Sequence, residues 1–469
     1  MKTQTTRSES DSFGSVEIES GALWGAQSQR SLDNFSIGQQ TFPPEFIYAF
    51  ALVKKAAAKV NCDLRLLDKE RANLIYQACD EILAGQHPRQ FPLSVWQTGS
   101  GTQTNMNLNE VIANRGNQIA GAELGDKQPL HPNDHVNLSQ SSNDVFPTVM
   151  HVTTATLLAK KLFPAIATLK STLGQKAADF SKEIKIGRTH LMDATPITLG
   201  EEFRAFYAQI NYVEDKVTQA SHDLEQLAIG GTAVGNGMNS HVEWADRMAS
   251  EITKLSGYSF RRATNFSSQM ASHDALTCLH GQLNLLATAL YKLGSDIRLM
   301  NSGPRCGLSE ISIPENEAGS SIMPGKVNPT QVEALTMVCL KVIGNNTAVT
   351  MANSQGQFQL NVFKPLMIHL TIESIDLLAD AINSFEGHCL RGVHANTEKL
   401  RQNLDQSLML VTALSPGIGY DAAAKIAKHA HKQGTTLRQA AIELNLLSAE
   451  EFDAMVIPEN MLGPGQILE

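Results

Sequence analysis

The sequence predicts a mainly α-helical protein built around a bundle of long helices. Apolar residues recur at alternating intervals of three and four over residues 199–227, 283–300, 332–349 and 162–173. A stripe of this period, kept over several turns, is typical of helices that pack side by side at shallow angles. Apolar alternation with a period of two is scarce, so we expect few strands. Four such helices within residues 150–355 favour a helical bundle.

Shorter helices are expected at the beginning of the chain, in a first domain of residues 1–140. Helical patterns cover residues 47–60 and 69–84, and Gly85 is a stop signal for the second. Between them lie polar segments rich in Ser, Thr, Asn and Gly. This part is therefore predicted to be a mostly helical N-terminal domain.

The long stripes fall in a second domain, residues 141–365, which forms the central bundle. Pro164 stands early in the stripe of residues 162–173, where it predicts a kink or a helix restart. Residues 366–469 form a small C-terminal helical domain. There a helix follows Pro365, and residues 415–434 indicate a Pro-Gly turn, a helix and a glycine stop.

The composition narrows the functional class. The 469 residues carry a formal net charge of −9, which argues against a nucleic-acid-binding surface. The six cysteines form no CxxC pair and are expected to stay reduced. Neither a signal-peptide core nor a membrane-length apolar run is evident, so we expect a cytoplasmic protein.

Five stretches are too polar and too glycine-rich for ordinary helix, and each adjoins a helical pattern. Loops at the ends of a rigid bundle are where function is usually placed. The five stretches are TGSGTQTNMNLNE (98–110), HPNDHVNLSQSSNDVFP (131–147), GRTHLMDATP (187–196), GGTAVGNG (230–237) and AGSSIMPGKVNP (318–329).

The first two stretches each hold a cluster of hydrogen-bond donors. Ser100, Gly101 and Thr102 would form a carboxylate site if a helix begins just after them, although for this stretch taken alone an N-cap with a glycine turn is the favoured interpretation. A second cluster consists of Ser141, Ser142 and Asn143, and capping is again the alternative. His131 and His135 are four residues apart, but Pro132 lies between them and no third ligand is evident, so we expect no metal.

The last loop, residues 318–329, is not a phosphate-binding P-loop. Five residues separate Gly319 from Gly325, where a Walker loop has four, and Val327 stands in place of the required Ser or Thr. Its mobile polar residues favour a lid that closes over a ligand.

Within this lid, Ser320 and Ser321 are candidate nucleophiles or bases, Lys326 brings a positive charge, and Asn328 could fix a carboxylate oxygen. In stretch 187–196, Thr189 and His190 precede a helix start punctuated by proline. A lone histidine is more often structural, but Glu333, on the helix after the lid, could partner it.

Together these stretches resemble the fumarase/aspartase lyase superfamily. GSSIMPGKVNP is similar to its signature loop, and WQTGSGTQTNMN, SQSSNDVFPT, GRTHLMDATPITLGEE and VNPTQVEAL resemble the class II fumarases within it. The resemblance runs from about Ser12 to the C-terminus.

It implies a three-domain, almost all-α homotetramer with a twenty-helix core and active sites built from three subunits. The reaction would be reversible hydration of fumarate to L-malate, without metal or organic cofactor.

The resemblance also implies residue roles. Ser320 would be the base that removes the C3 proton, assisted by Lys326 and Asn328, and His190 paired with Glu333 would form the acid side. The substrate carboxylates would be held by Ser100, Gly101, Thr102, Ser141, Ser142, Asn143, Thr189, Ser321, Lys326, Val327 and Asn328.

Two alternatives stay open: an aspartase-type ammonia-lyase on the same fold, and a catalytically silent scaffold. The five retained residues of the catalytic set argue against the second.

One region departs from the family pattern. Its fumarases often have a second anion site at HPND, which His131, Pro132, Asn133 and Asp134 match. Gln128 stands where a basic residue is expected and His135 where an acidic one is usual, so anion binding there is in doubt.

Overall fold

The structure is a computed structural model, and it describes residues 5–464. The helices in this range are, in chain order, α1 (Ala26–Asn34), α2 (Pro44–Asp63), α3 (Lys69–Leu83), α4 (Thr102–Ile119), α5 (Ser142–Leu157), α6 (Phe163–Asp179), α7 (Leu199–Ser221), α8 (Trp244–Ser256), α9 (Phe266–Ala271), α10 (Asp274–Met300), α11 (Thr330–Asn353), α12 (Lys364–His388), α13 (Thr397–Gln406), α14 (Ser415–Ile418), α15 (Tyr420–Gln433), α16 (Leu437–Glu443) and α17 (Ala449–Met455). The expectation of a mainly α fold is confirmed.

Strands within residues 5–464 pair only two at a time. They are β1 (Thr6–Asp11), β2 (Gly14–Glu19), β3 (Ile184–Thr189), β4 (Met192–Thr198), β5 (Gln226–Leu227), β6 (Arg261–Arg262), β7 (Ile311–Ser312) and β8 (His394–Ala395). The pairs β1–β2, β3–β4 and β7–β8 are antiparallel, and β5–β6 is parallel.

The predicted apolar stripes are the buried faces of the long helices. In α7, for example, Phe203, Phe206 and Ile210 are almost fully buried. Helix α7 ends at Ser221, earlier than the stripe, whose last members continue into a 3₁₀ turn and β5. Helix α10 begins at Asp274, earlier than predicted, because buried leucines continue its stripe toward the N-terminus.

The helix pattern around Pro164 is also longer than predicted. A π-helical turn, Leu158–Leu162, joins α5 to α6, and Pro164 lies in the first turn of α6. The π-helical turn directly before the proline lets the helix pass a residue that has no N–H to donate, so the chain continues without a break. By length and composition residues 142–179 could cross a membrane, but half of the most apolar window is buried in the fold. A core helix of this length and composition passes the same test.

Helix α4 is the main correction to the predicted architecture. The stretch TQTNMNLNE was expected to be too polar for ordinary helix, yet it forms the first half of α4. Its asparagines are buried, not solvated, and their amides bond to neighbouring segments. The amides buried on α4 are Asn105, Asn107, Asn109, Asn114 and Asn117.

The chain divides into two compact units, each assembled from separate segments. The first comprises the described parts of Met1–Pro164, Asp215–Ala287 and Leu340–Leu378. In its core, the rings of Phe42, Phe46, Phe50 and Phe146 contact one another at centroid distances of 4.5–6.1 Å.

The second unit comprises the described parts of Ala165–Glu214, Thr288–Cys339 and Ala379–Glu469. In its C-terminal part, Ile186 of the β3–β4 hairpin packs with Leu414, Ile426 and Phe452. The three-domain division of the sequence stays a prediction.

Candidate active site

The N-terminus of α4 presents the first donor cluster. Gly101 precedes the helix with φ +78°, and a Cβ on it would lie 2.2 Å from the Phe146 ring. Only glycine fits there, so the backbone approaches the ring closely. Ser100 Oγ accepts from the Thr102 N–H and lies 2.8 Å from Thr102 Oγ1. Both hydroxyls therefore lie at the positive end of the helix.

The second donor cluster begins α5. Ser141 is the N-cap: its Oγ accepts from the Asn143 N–H, and its own N–H donates to Asp144. The other Asp144 oxygen accepts from the backbone N–H groups of Gly230 and Thr232. Burial raises the pKa of Asp144 to about 6, although these hydrogen bonds oppose the rise. The glycine-rich stretch 230–237 therefore supports the start of α5 from behind.

The starts of α4 and α5 lie together. Asn105, in the first turns of α4, donates from Nδ2 to Ser142 Oγ at 2.9 Å, and Phe146 of α5 packs on Gly101. Two helix N-termini that converge with hydroxyl donors make a site suited to a carboxylate. Capping accounts for Ser141 but leaves this convergence unexplained.

The HPND segment forms a π-helical turn, Pro132–Val136. His131 Nδ1 accepts from the N–H groups of Asn133 and Asp134, both at 3.2 Å. A cavity of about 320 Å³ borders the turn, and its lining includes Glu9, Asp11, Glu110 and Lys127.

Carboxylates thus outnumber the one lysine around this cavity. Gln128, which is exposed, adds no positive charge. Glu9 and Asp11 are, however, already paired with Arg7 and Arg30, so their charges are neutralised and the second anion site stays a prediction. Among residues 5–464, no group of three or more His, Cys, Asp or Glu is arranged to hold a metal ion.

Thr189 and His190 lie at the tip of the β3–β4 hairpin, not before a helix start as predicted. Thr189 pairs with Met192 across a two-residue turn formed by His190 and Leu191. These two residues have φ values of +56° and +62°. Hairpin turns of this kind favour glycine or asparagine, so a histidine and a leucine there are held under backbone strain. Because His190 lies in this turn, its side chain is exposed at the tip of the hairpin.

A buried ion cluster holds this hairpin. Glu310 is fully buried, its Oε1 accepts from Arg188 at 2.7 Å, and its Oε2 lies 3.0 Å from Lys185 Nζ. Lys185 also donates to Glu202 at 3.0 Å. Because Arg188 and Lys185 both belong to β3, the cluster fixes the strand that leads to His190.

The lid of residues 318–329 is closed at its base by its own backbone. Gly319 N–H donates to the Lys326 carbonyl at 3.0 Å, and Asn328 Nδ2 donates to the Gly319 carbonyl at 2.5 Å. A Cβ on Gly319 would lie 2.2 Å from that Lys326 oxygen, so the closure requires glycine. One amide hydrogen of Asn328 is thus used within the loop, which leaves its second N–H and its oxygen for a ligand.

Inside this closed loop, Ser320 Oγ accepts two backbone hydrogen bonds. The donors are the N–H groups of Ile322 at 3.3 Å and Met323 at 3.1 Å. Ser320 and Lys326 line one cavity of about 300 Å³. Donors aimed at a hydroxyl oxygen stabilise its deprotonated form, so this serine is placed to act as a base.

The remaining predicted site residues lie on the lid and at the start of α11. Ser321 and Lys326 are exposed on the lid, Val327 lines its cavity, and Glu333 lies in the first turn of α11. Across the described range, no hydrogen bond or ion pair joins Glu333 to His190. Their pairing stays a prediction.

Sequence reasoning missed Lys54, whose ammonium is buried behind the second donor cluster. A signal was present, because Phe50, Lys54 and Ala57 are spaced by four and three along a predicted helix. A lysine on an apolar stripe marks a buried cation that needs partners.

Comparisons with known proteins identify the family of this chain. The lyase family profile matches residues 14–344, and the profile of the fumarase C C-terminus matches residues 410–463. Fumarate hydratase class II of Thermosynechococcus vestitus is 55% identical over 461 residues, covering 98% of this chain and 99% of that protein. The corresponding protein of Myxococcus xanthus is 52% identical over 463 residues, covering 99% of both.

Solved structures give the same result. The class II fumarase of Schistosoma mansoni superposes with a TM-score of 0.95 at 43% identity, covering 97% of this chain and 99% of that one. The fumarate lyase:delta crystallin of Brucella melitensis, solved bound to cobalt, gives a TM-score of 0.94 at 40% identity, covering 98% and 100%. The chain therefore belongs to the fumarase/aspartase lyase family, in the group of the class II fumarases.

Proposed function

We propose that this protein is a fumarate hydratase, which interconverts fumarate and L-malate. The observation that carries the proposal is the environment of Ser320, whose Oγ accepts from two backbone N–H groups inside a closed glycine-rich loop. An ordinary serine is too weak a base to remove a proton from carbon. Two backbone donors and a nearby lysine stabilise the Ser320 alkoxide, which makes this serine a stronger base.

When L-malate is the substrate, the Ser320 alkoxide takes the C3 proton. The electron pair of the broken C–H bond moves into the adjacent carboxylate, which becomes an aci-carboxylate dianion. That pair then returns to form the C2–C3 double bond as the C2 hydroxyl leaves, protonated, as water. Hydration of fumarate is the reverse sequence.

The dianion needs positive potential and hydrogen-bond donors around its oxygens. The converging N-termini of α4 and α5 supply both, and Lys326 adds a full charge on the lid. The residues proposed to hold the two carboxylates are Ser100, Gly101, Thr102, Ser141, Ser142, Asn143, Thr189, Ser321, Lys326, Val327 and Asn328. Closure of the lid would exclude water, which strengthens each of these interactions.

His190 is proposed to form the acid side and to protonate the leaving hydroxyl through an ordered water. Its strained, exposed position at a hairpin tip supports this role, because strained residues concentrate at functional sites. Glu333 of a neighbouring subunit would orient the ring. No metal or organic cofactor enters these steps.

The active protein is proposed to be a cytoplasmic homotetramer whose central helices form a twenty-helix core. Helix α11 supports this, because it is apolar on nearly every side, as expected of a helix surrounded by others. Met337, Leu340 and Met351 are 64%, 57% and 59% exposed in the single chain. Association of four such chains would bury them and would bring residues of three subunits to each site.

The test follows the absorbance of the fumarate double bond as purified protein acts on L-malate, with EDTA present, and on L-aspartate in parallel. Absorbance that rises with malate alone supports the proposal. A rise with aspartate instead moves the function to ammonia release, and no rise with either revives the silent scaffold.

Ser320→Ala is expected to abolish turnover and leave the tetramer intact. Ser312→Ala, an exposed serine of β7 outside the site, is the matched control and should keep wild-type activity. Wild-type activity in Ser320→Ala would remove this residue as the base.

A further inference from the structure

Lys54 is a cation placed where a helix of this composition would ordinarily bury a hydrocarbon side chain. It lies on α2 and is fully buried, with Phe50, Val53 and Ala57 buried beside it. Taking an ammonium out of water is costly, and an apolar residue of similar volume would pack there without that cost. The position therefore calls for a reason other than packing.

The reason lies in what Lys54 Nζ contacts. It donates to Asn137 Oδ1 at 3.1 Å and to Gln140 Oε1 at 2.9 Å. The same Asn137 oxygen accepts from Asn105 at 3.2 Å and from Asn109 at 3.1 Å, both on α4. One oxygen thus joins α2, α4 and the turn at residues 137–140.

That turn leads directly into the second donor cluster. Gln140 precedes Ser141, the N-cap of α5, and Asn137 Nδ2 donates to the Gln140 carbonyl at 3.3 Å. Asn105 uses its Nδ2 a second time, on Ser142 Oγ. Hydrogen bonds from the Lys54 ammonium therefore lead, through Asn137 and Asn105, to the residues proposed to hold a substrate carboxylate.

We propose that Lys54 is a positioning residue for substrate binding, whose ammonium fixes the turn at residues 137–140 and so holds Ser141–Asn143 in the geometry that receives a carboxylate. This inference rests on the proposed function. Lys54 contacts no substrate and acts through Asn137 and Gln140. Its buried charge also adds positive potential behind the anion site, where an apolar residue would add none.

The surroundings of Lys54 make its charge dependent on pH. Burial lowers its pKa to about 7, and the charge of Asp144 on α5 opposes the fall. The thiol of Cys79 on α3 also faces it, but burial raises the Cys79 pKa to about 12, so that group is neutral. Helix α4 presents the uncharged Asn105 and Asn109, and in the described range α8 and the turn at 132–136 add no charge that shifts this pKa. Lys54 therefore loses its proton as pH rises through about 7.

The test compares wild type, Lys54→Met and Lys55→Met. Lys55 is the adjacent residue, paired with Asp80 at the surface, and is the matched control. The measured quantities are kcat and KM for L-malate and the inhibition constant of succinate, a dicarboxylate with no double bond to hydrate. All are taken between pH 6.5 and 9.

Lys54→Met is expected to raise the malate KM and the succinate inhibition constant about 10-fold or more, the effect of losing charged hydrogen bonds. Its kcat should change by less than about 3-fold, and Lys55→Met should match wild type. In wild type the succinate constant should rise as pH passes 7, and this rise should vanish in Lys54→Met.

The proposal is overturned if both constants in Lys54→Met stay within the range of the control, or if only kcat falls. If Lys54→Met does not fold, the wild-type profile decides: a succinate constant that stays flat from pH 6.5 to 9 overturns the proposal. Wild type that is inactive on malate would refute the proposed function instead, so the two failures are distinct.

Discussion

Replacing Glu310 by glutamine should loosen the hairpin that presents His190. The carboxylate is fully buried between Arg188 and Lys185, at 2.7 and 3.0 Å. Glutamine keeps its shape and removes its charge, so both cations of β3 lose their buried partner. Lys185, which is 3% exposed, then retains only Glu202.

The magnitude follows from this geometry. Removing one partner of a buried ion pair costs about 3–5 kcal/mol. We expect the lower end, about 3 kcal/mol, because Lys185 keeps Glu202 and Arg188 is partly exposed. Unfolding entropy near 2.1 cal/mol/K per residue gives roughly 1 kcal/mol/K for a chain of this size. The melting temperature should therefore fall by about 3 °C.

Differential scanning calorimetry of the purified protein measures this shift, with circular dichroism as a check on helix content. Glu202→Gln is the matched control: it removes the partly exposed partner of the same lysine and should cost under about 1 °C. If Glu310→Gln melts within 1 °C of wild type, or no lower than the control, the buried cluster does not hold the hairpin.

Three further predictions concern the site, the buried lysines and the assembly. His190→Asn should lower kcat for L-malate by roughly 10²–10⁴-fold, the usual effect of losing acid–base catalysis; unchanged kinetics would make His190 structural. Burial lowers the pKa of Lys54 and of Lys364 to about 7, so between pH 7 and 10 the unfolded chain binds more protons and stability rises with pH. Melting temperatures at pH 7, 8 and 9 should rise less steeply in Lys364→Met, and an unchanged slope would contradict the buried titration. Leu340→Glu places a charge on the exposed apolar face of α11 and should dissociate the proposed tetramer in light scattering, whereas an intact tetramer in this variant would locate the interface elsewhere.

The long helices could be predicted from the sequence because burial along them repeats with the helical period. The two glycines that were predicted to end helices, Gly85 and Gly434, do lie at helix ends, where both adopt positive φ. The β1–β2 hairpin was not predicted. Strand β1 alternates charged and small polar residues, and β2 has only two apolar residues, Val16 and Ile18, alternating with its glutamates; only Ile18 and Glu9 are buried. The β3–β4 hairpin was missed because its turn contains histidine and leucine in place of asparagine and glycine.

The sequence could propose candidate residues for the site but not their arrangement. Sequence motifs identify Ser320 and the donor clusters as candidates one at a time. They do not reveal that the starts of α4 and α5 converge, because Asn105 and Ser142 meet only through tertiary packing. The proposed partnership of His190 with Glu333 is likewise not seen among the hydrogen bonds and ion pairs of the described residues, and it stays a prediction.

The buried asparagines of α4 limit which amino-acid substitutions this helix can accept during evolution. An apolar core position accepts another apolar residue of similar volume at a modest cost in stability, because its contacts with neighbouring side chains are not directional. An amide does not, because its loss also strands the partner that it satisfied. Asn105, for instance, serves both Asn137 and Ser142, so a single replacement disturbs two segments. Helix α4 can therefore pack in only one rotation about its axis. Its amide-bearing face should accept substitutions far more slowly during evolution than the apolar faces around it.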